Sequence, residues 1–163
     1  MTSPMSFSAA APDVSDQGGG TLVEADIYVG MGGARGNYYG VAPGTTVPLA
    51  LRELPVMQSP SAGATGIGPG SSFTWTDPAS DAAHMVTLTC GNPRVVVVRF
   101  ITAARSAVVP DLSGYGLVWP SGAACTWELR SSAPTGVDGF LTRPPAGTPW
   151  YESYTAVRTF TSR

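Results

Sequence analysis

The sequence predicts an all-β chain: a single β-sandwich, jelly-roll-like or barrel domain with an extended N-terminal arm and long Gly/Pro-rich loops. Three observations carry that expectation. Gly and Pro number 20 and 15 among 163 residues, well above the roughly 12% of average usage, so the backbone is punctuated often. Between the punctuation lie short segments with period-two alternation or β-branched runs. Only Asp77–Ala83 carries a helix signal, with Asp77 as a cap and Pro78 in the first turn, and it allows one or two turns at most.

Residues 1–20 are small and polar, broken by Pro4, Pro12 and Gly18–Gly20. They bury too little to offset their ordering entropy, and they read as a flexible arm. Residues 21–163 form one domain by length. TLVEADIYVG opens it as a half-buried strand, with Val23, Ala25, Ile27 and Val29 on one face and Glu24, Asp26 and Tyr28 on the other. Residues 30–44 read as a wide Gly-rich loop at a sheet edge. Residues 45–54 read as a second extended segment that Pro48 confines to an edge or bulge. Residues 53–72 read as a long loop or crossover. Five strands follow, near Ser72–Thr76, Met85–Cys90, Arg94–Thr102, Cys125–Ser131 and Tyr154–Thr161. GNPR at 91–94 is a tight connection, and the valine run after Arg94 predicts a strand covered on both faces.

Absent atoms exclude whole chemistries. All nine basic residues are Arg. Without Lys there is no Walker A loop, Schiff base or kinase ion pair. One His and two Cys cannot build a zinc finger or a three-His zinc centre within the chain. A formal charge of −2 is a poor basis for phosphate neutralisation, so no nucleic-acid partner is expected. No apolar run reaches membrane-spanning length, and the first twenty residues lack a signal-like apolar core. Neither membrane contact nor secretion is therefore expected, and synthesis in the cytoplasm is. No cofactor, metal or small-molecule substrate is expected either.

The remaining candidates are sparse. The glycines of GMGGARG, residues 30–36, miss the dinucleotide fingerprint, because position six is Arg35 and no helix follows. GATGIGPG at 63–70 lacks a following helix as well. His84 would carry any acid/base chemistry near neutral pH, with Asp77 or Asp81 to orient it, which makes a hydrolase one alternative. No G-x-S-x-G elbow accompanies it. The carboxylates Asp111, Glu128, Asp138 and Glu152 show no pairing by spacing. Cys90 ends one predicted strand and Cys125 begins another. They form a disulfide if those strands are neighbours, or two buried free thiols in a reducing cytoplasm, and the second reading is favoured.

Interface material is plentiful by contrast. Trp119, Trp150, Tyr151, Arg35, Tyr38 and Tyr39 are the candidate contacts, since Trp, Tyr and Arg dominate binding at interfaces. The same aromatics admit a carbohydrate- or protein-binding module as another alternative. Residues 1–90 carry a formal charge of −5 and residues 91–163 a charge of +3. That asymmetry permits head-to-tail contacts between copies unless the halves interleave in space. The expectation is therefore a non-enzymatic structural or assembly protein, a capsid-decoration or minor component of a virion. Its partners would be copies of itself or other proteins of the particle. The general style of virion accessory proteins is the only likeness; no motif identifies a family.

Overall fold

The computed structural model describes residues 21–42, 45–47, 51–91, 95–134, 136–140, 147 and 149–163. The expected arm and the GNPR connection lie outside the described residues, save for Gly91. Strand is the dominant structure of the described chain, and its only helical pieces are two 3-10 turns at Ser113–Tyr115 and Val137–Phe140. Eleven strands run in order: β1 Thr21–Val29, β2 Gly32–Val41, β3 Val56–Ser59, β4 Ala64–Ile67, β5 Ser72–Thr76, β6 Ala83–Cys90, β7 Val96–Thr102, β8 Ser106–Val108, β9 Ala124–Ala133, β10 Pro149–Tyr154 and β11 Arg158–Ser162. They form an eight-stranded sheet and a three-stranded one, β3-β5-β8.

Strand β9 is the hub of the larger sheet. Antiparallel β6 covers one side over eight residues, and β7 lies beyond it. On the other side β10 pairs the C-terminal half of β9 and β11 pairs its N-terminal half. The register passes from Tyr154 opposite Arg130 to Arg158 opposite Trp127. Three residues, Thr155–Val157, therefore face two on β9, which is a bulge that bends one continuous path. Thr155 ties the bend down: its amide donates to the Leu129 carbonyl at 2.9 Å and its hydroxyl accepts from the Leu129 amide at 3.1 Å. Beyond β10 the sheet continues through β2 to β1, and beyond β11 through parallel β4.

One apolar cluster joins both sheets. Met57, Phe73, Trp75 and Val109 come from β3, β5 and the end of β8; Val86, Leu88, Val98, Trp127, Leu129 and Phe160 come from the large sheet. Phe73 meets Trp127 and Phe160 edge-on, with ring centroids 5.1 and 5.8 Å away. Each such aromatic pair adds about 0.5–1.5 kcal/mol beyond area burial. At the rim, Cys90 and Cys125 stand directly opposite in the β6–β9 register and are joined as a disulfide. The favoured free-thiol reading is thereby corrected. Adjacency in the ladder, invisible to spacing alone, decides the point.

Several other expectations change. The Gly-rich loop at 30–44 is mostly strand β2, joined to β1 by the two-residue loop Gly30–Met31. Gly30 has φ +62°, as the first central position of a type II′ hairpin requires. Residues 45–47 and 51–55 are not strand, and 48–50, with Pro48, lie outside the described residues; Arg52 sits over the Tyr151 ring and pairs with Asp81. The long loop at 53–72 contains β3 and β4. The helix expected at Asp77–Ala83 is instead a turn that leads into β6 at Ala83, because the Asp77 carboxylate accepts the Ala79 amide at 2.7 Å and closes the chain locally. The single strand expected at Tyr154–Thr161 is β10 and β11 divided by the bulge. Strand β8 was not anticipated. Among the described residues β7 is an edge strand, not a covered one, and its Val97 is 45% exposed. β1 is likewise an edge, where Ile27 and Tyr28, on opposite faces, are 42% and 64% exposed.

Candidate functional site

Where the two sheets meet at one end, β5, β6 and β9 bring together the only imidazole and its surroundings. Alternation along β6 sends His84 to the same inner face as Val86, Leu88 and Cys90, and alternation along β9 does the same for Ser131 after Trp127 and Leu129. His84 and Ser131 are directly paired in the ladder. Asp77, at the end of β5, reaches across from the other sheet. His84 Nε2 lies 2.9 Å from Asp77 Oδ2, and the Ser131 hydroxyl donates to that same oxygen at 2.5 Å. All three residues are buried.

Burial pushes the Asp77 carboxyl up, but the hydrogen bonds from His84, Ser131 and the Ala79 amide outweigh it and hold the group below its ordinary 3.8. An ionised Asp77 assigns the imidazole proton. Nε2 must donate to the carboxylate, so it has no lone pair for Arg105, whose Nη1 lies 3.3 Å away. Both nitrogens are donors there, so that contact is no hydrogen bond, and Arg105 Nη2 donates to the Ala79 carbonyl at 2.7 Å. Trp75 lies against the imidazole, with ring centroids 5.3 Å apart.

The arrangement differs from a nucleophilic triad in its connectivity. A triad needs the hydroxyl to donate to the imidazole and the imidazole to donate to the acid. Here hydroxyl and imidazole both donate to one acid, and Asp77 is the hub. What such a hub does is fasten the end of β5 to β6 and β9. Asp81, the other carboxylate expected near His84, pairs with Arg52 at 2.7 Å; that hydrogen bond, against a smaller effect of burial, lowers its carboxyl below the usual range. A shallow cleft beside the hub is lined by Arg52, Asp77, Ser131, Tyr151 and Ser153 among others. No group of three or more His, Cys, Asp or Glu suited to a metal ion occurs among the described residues.

The six candidate contact residues are all half-buried, and five of them gather on the β2–β10 part of the large sheet. Tyr39 stacks on Trp150 at 6.4 Å, and the Trp150 indole donates to Ser132. Tyr151 lies under the Arg52 guanidinium, 5.0 Å from ring centroid to Cζ. Tyr38 is opposite Pro149 in the β2–β10 register. Arg35 bridges Asp26 at 2.7 Å and Glu24 at 3.3 Å. The Asp26 hydrogen bond is the main cause that raises its guanidinium pKa. Trp119, the sixth, packs against the core. Ser131 and Arg105 escaped sequence reasoning. A polar residue in phase with Cys125, Trp127 and Leu129 was the available signal for Ser131; Arg105, in the turn before β8, offered none.

No family model, curated protein or solved structure matches this chain. No helix among the described residues is long and apolar enough to cross a membrane.

Proposed function

We propose that this chain is a non-enzymatic structural protein of a virion or similar particle, a decoration or minor shell component. In this reading its two sheets make a β-sandwich of jelly-roll type, and residues 1–20 serve as an arm that orders against a neighbour. The observation that carries the non-enzymatic part is the connectivity at His84: imidazole Nε2 and the Ser131 hydroxyl both donate to one buried carboxylate, as suits a clamp between sheets. The assembly part is supported by two long sheet edges left unpaired among the described residues and by apolar side chains left in solvent, among them Tyr28, Met31, Tyr115 and Val118. A sugar-binding role has less support, because Trp119 packs on the core and Trp150 is tied to Ser132.

Quantitative mass spectrometry of purified particles from the native source tests this. The chain should be present at a fixed copy number relative to the main shell protein. Recovery only in the particle-free fraction overturns the reading.

A further inference from the structure

Two edges of the large sheet are built for pairing. β1 has nine residues and β7 has seven, and each is paired on one side only among the described residues. Long edges are normally blunted by charged side chains, Lys above all, and by Pro, bulges or brevity. β3, β4 and β8 are only three or four residues long. β1 and β7 contain no Pro, and the chain has no Lys. β1 is irregular only between Thr21 and Leu22, and the β7 pairing with β6 is regular throughout.

Charge selects the partner for each edge. On the outer face β1 carries Glu24 and Asp26, which share Arg35 and leave a net charge of −1, while β7 carries Arg99, which has no ion-pair partner among the described residues. Full-length antiparallel pairing of β1 with its own copy sets Glu24 opposite Asp26. The same pairing of β7 with its copy sets Arg99 opposite Arg99. Both put like charges face to face, which is destabilising. Pairing β1 of one copy with β7 of the next puts opposite charges together and keeps the inner faces continuous.

We propose that copies of this chain join head to tail through their sheets, β1 of one pairing antiparallel with β7 of the next, with Arg99 opposite Asp26. In that register Val97 meets Tyr28, Val98 meets Ile27, and all seven residues of β7 are used. Shifting by two to bring Arg99 against Glu24 exchanges the Val97–Tyr28 pair for Ile101 against Leu22 on the outer face, so a cross-link between positions 28 and 97 distinguishes the two registers. The contact is heterologous, so it closes into a ring or propagates as a filament. This deepens the assembly reading by naming the partner as a second copy and the surface as these two edges.

Light scattering on the purified full-length chain across a concentration series tests it. Wild type should rise well above the 16.8 kDa monomer. Arg99→Glu alone, and Glu24→Arg with Asp26→Arg alone, should each stay at monomer mass, while an equimolar mixture of the two recovers the larger species. A second measurement avoids charge reversal. Tyr28→Cys and Val97→Cys variants, mixed and oxidised, should cross-link one to the other but not each to itself. A wild-type chain that stays monomeric throughout, or an Arg99→Glu variant that assembles as wild type does, overturns the edge pairing. A monomer that is nonetheless found in particles removes this pairing and leaves the particle role standing.

Discussion

The two ends of the large sheet are stabilised by different means. Around β6, β9 and β11 the inner face is large and apolar, it packs against the second sheet, and a disulfide closes its rim. Around β1, β2 and β10 the core cluster contributes nothing. There the strands hold together through cross-strand pairs: Arg35 between Glu24 and Asp26, Arg130 with Glu152, and Tyr28 against Tyr154 at 6.4 Å. Glycines make the close packing in that wing possible. A Cβ on Gly33 would come 2.6 Å from the Tyr154 hydroxyl, and one on Gly32 would come 2.9 Å from the Tyr154 carbonyl. The Tyr154 ring thus covers the strand where a side chain would stand. Area-driven stability is cooperative, whereas ladders of weak surface pairs open locally. The half with the deep core is expected to set global stability, and the wing to be the part that responds to a neighbour.

Four measurements can break or sharpen that contrast. The largest effect is expected for Trp127→Ala, which removes the central ring of the core and should lower unfolding free energy by up to about 5 kcal/mol. Denaturant titration reads it, and a loss below about 1 kcal/mol would move the centre of stability elsewhere. Next is the disulfide, which spans 35 residues and is worth about 4 kcal/mol in the chain-entropy description. Replacing Cys90 and Cys125 together by Ala should lower Tm with little change in the ladder pairs; an unchanged Tm contradicts a bonded rim.

Asp77→Asn should cost about 2 kcal/mol, because it removes charge-assisted hydrogen bonds from a buried acceptor. The carboxyl titrates below its ordinary 3.8 in the folded chain. Its contribution is therefore complete above that value and is lost as pH falls through the lower, folded one. Wild type should lose stability on acidification through this window, and Asp77→Asn should flatten that part of the profile. Parallel profiles would remove Asp77 as the acid-sensitive link between sheets.

The smallest effect, about 1 kcal/mol, is expected for Gly33→Ala, which must swing the Tyr154 ring aside. Hydrogen exchange should quicken in β1 and β2 while global Tm barely moves. Faster exchange across β6 and β9 as well would mean that wing and core open as one unit.

Legibility from the sequence divides along the same line. Ser72–Thr76 was read with its observed bounds, and the strands through Leu88 and Trp127 were read nearly so, because one face of each is buried and alternation records that. β2 was read as loop. Its glycines look like punctuation until Tyr154, more than a hundred residues later, is placed over them. The valine run in β7 suggested cover on both faces, yet an edge strand with no Lys or Pro has the same composition as a buried one. At the candidate site His84 and Asp77 were legible as residues that could meet. The bond that Ser131 donates to Asp77 depends on which strands are neighbours.

By itself the sequence determined that the chain would be rich in strands and poor in helix. It also excluded lysine chemistry and left one imidazole to account for. Those conclusions rest on local backbone preference and on atoms present or absent, which no fold can alter. Only the tertiary structure decided that the cysteines are bonded, that the lone histidine meets a buried carboxylate, and that β1 and β7 have one strand neighbour each among the described residues. Each of these depends on strand order and register, and pairings between distant segments are set by the total burial they achieve together rather than by any local pattern.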